Sequence, residues 1–504
     1  MRGLVFIALL IALFGAAFPL SSLSEGAFVD GSLDAKITSS DTTYLESVEG
    51  VVNFSARIKN TLSAPIAIYI MEKKGGMLET IKDAGTLSGG KEMIANVGVR
   101  SKYSFESVQE KVFAVVGETQ DGRFLGRYFH LRVSWEGHEK NINQSLSYAS
   151  TSIVPVLGII VALLVVALLE VAHRMQKNSE YTLRTLFFPS FRGRPVGERI
   201  ADLMFDPFFW VFEAACIAIL IISTYNDMAG KVGGDIGRNI LLLSGLGALL
   251  LPLLYIVFAR VSERYNKKPV RFFFGMFMWG GFAALLSFFV SYFQMPLFSM
   301  LGLGAGAVTF SFFATAVFAP IVEEAIKGLG VCIASWHHEF DDMLSGLLFG
   351  FAVGVGFSFV ENWFYFVSKT NPFELGIVPW ISLVLYRSFF NAIAHGCFTA
   401  ATAAVIGYIK SHPRAFHLAR HGFLPGLFVA VSLHMIFNVS ALLDSFVIAN
   451  YEVSVFIFNP ALVAVMMVMF LAVFVSATNE EKIRSLGKRA LEMMNDLQLR
   501  EKSK

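Results

Sequence analysis

Residues 318–330 read Phe318-Ala319-Pro320-Ile321-Val322-Glu323-Glu324-Ala325-Ile326-Lys327-Gly328-Leu329-Gly330, two adjacent carboxylates and a lysine inside an apolar run. An ionisable group at the centre of a bilayer costs about 2.5–3.5 kcal/mol on insertion scales, so three in one helical stretch need a reason. Glu323 and Lys327 stand four residues apart and share a helix face. Glu324 lies about 100° round the helix. A Glu–Lys pair that neutralises itself in a bundle accounts for Glu323 and Lys327 but leaves Glu324 over. A buried carboxyl without a partner is a candidate general acid or base.

The stretch sits in a chain of 504 residues that is 55% apolar and only 16% charged, with a mean hydropathy of +0.59. Soluble proteins carry roughly a quarter of their residues as charged ones. The deficit is uneven. Residues 25–147 have the make-up of a water-soluble domain, whereas 152–477 are mostly apolar runs. A helix needs about 20 apolar residues to cross the hydrocarbon. Nine segments qualify: 152–172, 207–226, 239–259, 272–293, 303–334, 343–367, 377–409, 423–444 and 454–477. The fifth and seventh are long enough to tilt or to include a surface turn, and Pro320 is a kink point in the fifth. The fold class is therefore a polytopic α-helical membrane protein, about nine spans after a signal segment, with an N-terminal β-sandwich-like extracytoplasmic domain. The net charge of +2 and the lack of a basic stripe interleaved with aromatics make no case for nucleic acid. Cys216, Cys332 and Cys397 all lie in apolar runs and form neither a disulfide framework nor a CxxC metal motif.

Residues 1–24 open with Met1-Arg2-Gly3 and an apolar run to Leu20, the pattern of a signal peptide or an uncleaved anchor. In 25–147, Val52, Phe54, Ala56 and Ile58 alternate with polar residues, as do Ile66, Ile68 and Ile70. Phe129, Leu131, Val133 and Trp135 alternate likewise. Period two buries one face of a strand and wets the other. Asp121-Gly122 marks a hairpin. Basic residues concentrate in 173–205 and 260–271, among them Arg192, Arg194, Arg199, Arg260, Lys267 and Lys268. Such loops stay cytoplasmic. The β domain is then outside, and the C-terminus is inside a multi-pass cell membrane protein. The remaining divisions are N-terminal transmembrane helices over 152–293, a transmembrane core over 303–445, a last span over 454–477 and a charged amphipathic tail over 478–504.

Three later spans also carry polar groups. Gly346, Gly350 and Gly354 recur every four residues in the sixth, a stripe that lets a neighbouring helix approach closely, and Glu361 and Asn362 follow. Arg387, Asn391, His395, Thr399 and Thr402 form one polar stripe on the seventh. His434 and Asn438 stand four apart on the eighth. His337 and His338 lie in a loop with Glu339, Asp341 and Asp342 and are expected to be solvated.

At these residues the chain resembles the PrsW family of intramembrane proteases, related to the CAAX-processing and bacteriocin-processing membrane proteases and to the Aph subunit of gamma-secretase. The family pattern EExxK, FxxxEN, an Arg eight residues before a His, and HxxxN is met by Glu323-Glu324-x-x-Lys327, Phe357-x-x-x-Glu361-Asn362, Arg387 to His395, and His434-x-x-x-Asn438. The motifs occur in order, one per helix, over about residues 300–445. CAAX-type enzymes usually have Arg after the EE pair and His where Glu361 stands, so the likeness is to PrsW. The resemblance implies hydrolysis of peptide bonds in membrane-anchored proteins, with the bilayer as the enzyme's other partner. It does not extend to the β domain or the first spans.

Hydrolysis in a bilayer needs a confined water, a base and donors for the oxyanion. The expected catalytic set is Glu323 or Glu324 as base, His395 sharing the proton, and His434 and Asn438 as donors. Lys327, Glu361, Asn362 and Arg387 are supporting residues. No cofactor is favoured. The alternative is zinc held by His395, His434 and Glu361, a legitimate donor set although no HExxH helix is present. Glu361 lies 18 residues into its span, roughly 27 Å along a helix, while His434 is 11 residues into its own. Either the sixth span starts later or tilts, or Glu361 supports the site from outside it. A non-catalytic scaffold like the Aph subunit and a transporter with a buried charged site are the rival classes. Transporters usually show repeated halves with broken helices, and no internal repeat is visible here.

Overall fold

The computed structural model describes residues 20–176, 185, 193–263, 265–300, 312–412, 422–442 and 454–502. Most of the signal segment lies outside them. The chain divides into two compact units, residues 1–145 with 372–377, and the remainder.

The first unit holds nine strands: β1 (Ser22–Ser24), β2 (Asp34–Ile37), β3 (Thr42–Tyr44), β4 (Glu49–Lys59), β5 (Ile66–Lys74), β6 (Met77–Leu87), β7 (Glu92–Lys102), β8 (Val108–Thr119) and β9 (Phe124–Ser134). They form a six-stranded sheet, β1-β6-β5-β8-β9-β3, and a three-stranded sheet, β2-β4-β7. The alternating residues do what their period requires. Val52, Phe54, Ala56 and Ile58 of β4 are buried, as are Ile66, Ile68 and Ile70 of β5. The sheets meet where the Phe54 and Phe113 rings lie 4.8 Å apart. Leu131, Val133 and Trp135 are buried, but Phe129 is only partly so. Asp121-Gly122 turns β8 into β9, with Gly122 at φ +77°. β1 pairs with β6 and lies inside the stretch assigned to the signal segment. The segment Pro372–Ile377, which opens with a one-turn helix, belongs to this unit, and His138 Nε2 lies 2.9 Å from the Phe373 carbonyl.

The helices are α1 (Glu136–Gln176), α2 (Val196–Met204), α3 (Pro207–Val232), α4 (Gly234–Ser262), α5 (Val270–Met300), α6 (Ala319–Ala334), α7 (Met343–Ser368), α8 (Ile377–Ser411), α9 (Leu424–Ala441) and α10 (Asn459–Lys502). Among the described residues, eight are long and apolar enough to cross a membrane. The chain is a multi-pass membrane protein with an N-terminal β domain. The fifth expected span is described from Phe312 onward and reaches α6 through a wide π turn, Ala314–Phe318. Pro320 cannot donate to the carbonyl four residues back and its ring crowds it, so the backbone widens there. α10 runs unbroken from the last span through 477 into the expected amphipathic tail.

α7 is the helix at the centre of the second unit. In its apolar window 89% of residues are buried, against 6% in α1. Its glycines make this burial achievable. A methyl on Gly354 would drive into the His395 carbonyl of α8, and one on Gly346 into the Ala403 carbonyl. On the other flank, a methyl on Gly356 would meet the Phe277 carbonyl of α5. Backbone contact on both sides fixes α7 against α5 and α8, and so fixes what α7 and α8 carry.

Candidate active site

Four helices bring their polar residues together. On α6, about two turns past Pro320, Lys327 is fully buried and its ammonium bonds Glu324 Oε1 at 2.7 Å and His395 Nδ1 at 2.8 Å. Glu324 Oε1 also lies 3.1 Å from His434 Nδ1, and its Oε2 accepts from Thr399 Oγ1 at 3.1 Å. Both oxygens of Glu324 are thus engaged, by groups from α6, α8 and α9. Glu323 differs. Its Oε2 is buried without a hydrogen-bond partner, 3.6 Å from Lys327 Nζ and 3.7 Å from His434 Nε2. The expected pairing is reversed: Lys327 bonds Glu324, and Glu323, which the i,i+4 spacing pairs with it, is the carboxylate left open.

A second layer adjoins the first. Glu361 Oε2 lies 3.1 Å from His395 Nε2 and accepts from Asn391 at 3.0 Å. Its Oε1 accepts from Arg387 Nη2 at 3.1 Å. Arg387 Nε and Asn391 Nδ2 both donate to Asn362 Oδ1 at 3.1 Å. The guanidinium also lies over the Tyr365 ring, 4.1 Å from its centroid. α7 begins at Met343, capped by Asp342, so the sixth span starts where expected and Glu361 still reaches the cluster through His395. Asn438 stands apart from the carboxylates. Its amide donates to the Thr315 carbonyl at 2.9 Å, inside the π turn.

The histidine tautomers follow from their partners. An ammonium only donates, so His395 Nδ1 accepts from Lys327 and Nε2 carries the proton given to Glu361. His434 Nδ1 donates to Glu324, which leaves its Nε2 lone pair toward Glu323. Phe398 stacks on His434 at 4.6 Å, and Phe357 on His395 at 5.1 Å. Phe357 is the aromatic of the Phe357-x-x-x-Glu361-Asn362 pattern, whereas Phe398 carried no signal in the sequence beyond apolarity. Thr399 sat on the polar stripe without a role, and its partner is 75 residues away on another helix. Thr402, the last of the stripe, is buried with its hydroxyl unpartnered.

Ligand atoms of Glu323, His395 and His434 lie within 4.8 Å of one another. The structure groups Glu323, rather than the expected Glu361, with the two histidines. Glu323 Oε2 and His434 Nε2 each have a lone pair free for a cation. His395 does not, because Lys327 and Glu361 take both ring nitrogens. In this arrangement the trio lacks a third ligand.

A second group, Glu198, His337 and His338, is equally close. The expectation that these histidines are solvated is corrected for His337, which is fully buried, while His338 is exposed and paired with Glu198. The Glu339 backbone N–H donates to His337 Nδ1 at 3.1 Å, so Nε2 holds the proton and faces Asp202 Oδ1 at 3.2 Å. That tautomer ties the α6–α7 loop to α2 and does not present a metal ligand.

Residues 268–487 match the model of a family described as PrsW family intramembrane metalloprotease. The matched range contains every member of both layers. No curated protein and no solved structure matches.

Proposed function

We propose, for a chain whose residues 268–487 match the PrsW-family protease model, that it hydrolyses peptide bonds of membrane-anchored proteins by water activated at Glu323. The observation that carries this reading is the open, buried Oε2 of Glu323 facing the lone pair of His434 Nε2 at 3.7 Å. In this reading one water, admitted as substrate binds, bonds both atoms. Glu323 takes its proton, and His434, oriented by Glu324 as a carboxylate orients the histidine of a hydrolase triad, passes it toward the leaving amine. Lys327 holds Glu324 and His395 in place. His395 links this layer to Glu361, whose own position Arg387, Asn362 and Asn391 maintain. Asn438 has a second amide hydrogen beyond the one given to Thr315, and it serves as the oxyanion donor.

A metal-dependent reading draws on the family description and on the 4.8 Å convergence of Glu323, His395 and His434. A zinc-class ion would supply Lewis acidity and an activated water at neutral pH. It would require Lys327 to release His395 Nδ1 or Glu361 to release Nε2. Metal analysis of the purified protein, with cleavage measured before and after chelation, separates the two readings. A stoichiometric metal whose removal abolishes cleavage overturns the glutamate reading.

The decisive assay is cleavage of a reconstituted single-span substrate by the wild type and by Glu323→Gln, Glu324→Gln and His395→Ala. Equal turnover in all four would refute the site, as expected of a scaffold or a transporter. The basic loops support an orientation with the β domain outside and the C-terminus cytoplasmic. In that position the β domain would screen substrates before they reach the site. Unchanged selectivity after deletion of residues 25–147 would remove that role.

A further inference from the structure

We infer that Phe357 is a positioning residue whose aromatic face seats the Lys327 ammonium and keeps it off Glu323. The inference rests on the reading of Glu323 as the water-activating group. Lys327 Nζ lies 3.6 Å from the centroid of the Phe357 ring, and both residues are fully buried. Two of the ammonium's three hydrogens are taken by Glu324 and His395. The remaining side of the charge lies on the ring, whose quadrupole attracts a desolvated cation strongly. The Glu323 carboxylate is 3.6 Å away, slightly beyond hydrogen-bond reach. Without the ring, that carboxylate is the strongest attraction left for the free side of the ammonium. Closing the gap would cover the open oxygen on which activation of water depends. The same ring stacks on His395 with an interplanar angle of 24°, so one side chain holds both partners of the Lys327–His395 bond.

The test replaces Phe357 by mono-, di- and trifluorophenylalanine, which weaken the ring quadrupole with little change of shape. Both kcat for a single-span substrate and Tm are measured, with Tm measured also in a Lys327→Met background. With Lys327 present, kcat is expected to fall stepwise, by about tenfold or more across the series, with KM little changed. Tm should fall by a few degrees in parallel and stay level across the series in Lys327→Met. Phe357→Leu should lose kcat at least as severely. Equal Tm slopes in the two backgrounds would overturn the seat, and a level kcat series with coupled Tm would overturn its catalytic role. Failure of the underlying site reading looks different: Glu323→Gln would then turn over like the wild type, whatever the fluorinated series does.

Discussion

Thr399 Oγ1 donates to Glu324 Oε2 at 3.1 Å, the second oxygen of a carboxylate whose first already binds Lys327 and His434. A carboxylate so occupied orients other groups and has no room for a water of its own. Glu323→Gln and Glu324→Gln should therefore differ in kind. Glu323→Gln is expected to abolish turnover with Tm nearly unchanged, since its Oε2 bonds nothing. Glu324→Gln removes the carboxylate bonded to a fully buried ammonium and leaves it only Glu323, 3.6 Å away; breaking a buried pair typically costs about 3–5 kcal/mol. It should lower both Tm and turnover. Thermal unfolding in detergent beside the cleavage assay checks this, and identical Tm losses in the two variants would contradict it. Thr399→Val should lose part of the turnover and Thr399→Ser should keep most of it.

Gly354 is where the packing of α7 and the placement of His395 are one fact. A methyl there would collide with the His395 carbonyl, a backbone atom that cannot swing aside. Gly354→Ala is expected to destabilise by more than about 1 kcal/mol and to displace His395 from Lys327. Gly230→Ala is the matched control, also inside a helix but with nothing within 4 Å of the new methyl. It should gain about 0.5–1 kcal/mol from backbone entropy and leave cleavage alone. Opposite signs of the two Tm shifts are the expected result.

Much of this site was legible in the chain because helical spacing alone puts Arg387, Asn391, His395 and Thr399 on one face of α8 and Glu323 with Lys327 on one face of α6. The break in regular α-helix beside Pro320, a π turn over Ala314–Phe318, was legible in part, since a proline inside a helix has few structural outcomes. What spacing cannot carry is which helix faces which. The difference between Glu323 and Glu324 arises from His434 and Thr399, residues on two other helices. Glu361 looked too distant when depth was counted along one straight helix, yet it meets His395 across the α7–α8 contact. His337 looked solvated among acidic neighbours because its burial depends on Phe205, Phe272 and Asp202 from elsewhere in the chain. The unbroken α10 is a similar case: apolarity ends at 477, but nothing there stops the helix.

Asn438 holds the Thr315 carbonyl that the π turn exposes, and we assign its other hydrogen to the oxyanion. The two roles predict separate losses. Asn438→Ala should lower kcat by about 100–1000-fold, the usual effect of removing an oxyanion donor. The lost bond to Thr315 should cost only about 1 kcal/mol of stability. Single-turnover cleavage with a saturating substrate, read beside Tm, checks both. A rise in KM with kcat intact would show that Asn438 acts only in binding.

The tie between α2 and the α6–α7 loop should make the fold sensitive to acid. Burial holds the His337 imidazole below its ordinary value, so the folded protein keeps it neutral where the unfolded chain would protonate it. Burial alone would raise the Asp202 carboxyl, but its contact with His337 and the charge of Arg194 outweigh that and hold it below the usual range. Both folded values lie under the unfolded ones. Each group therefore contributes stability that is full above its unfolded value and is lost as pH falls through the folded one. For His337 the loss begins near pH 6.5 and proceeds at up to about 1.4 kcal/mol per pH unit. For Asp202 it begins near pH 4. His338, Glu198 and Glu339 face the same ring, and Lys410 donates to the His337 carbonyl at 2.8 Å, so the comparison must hold them constant. Tm measured from pH 7.5 to 5 should fall more steeply in the wild type than in His337→Gln, whose side chain does not titrate. Parallel curves would mean that His337 takes up its proton as readily in the folded protein as in the unfolded chain.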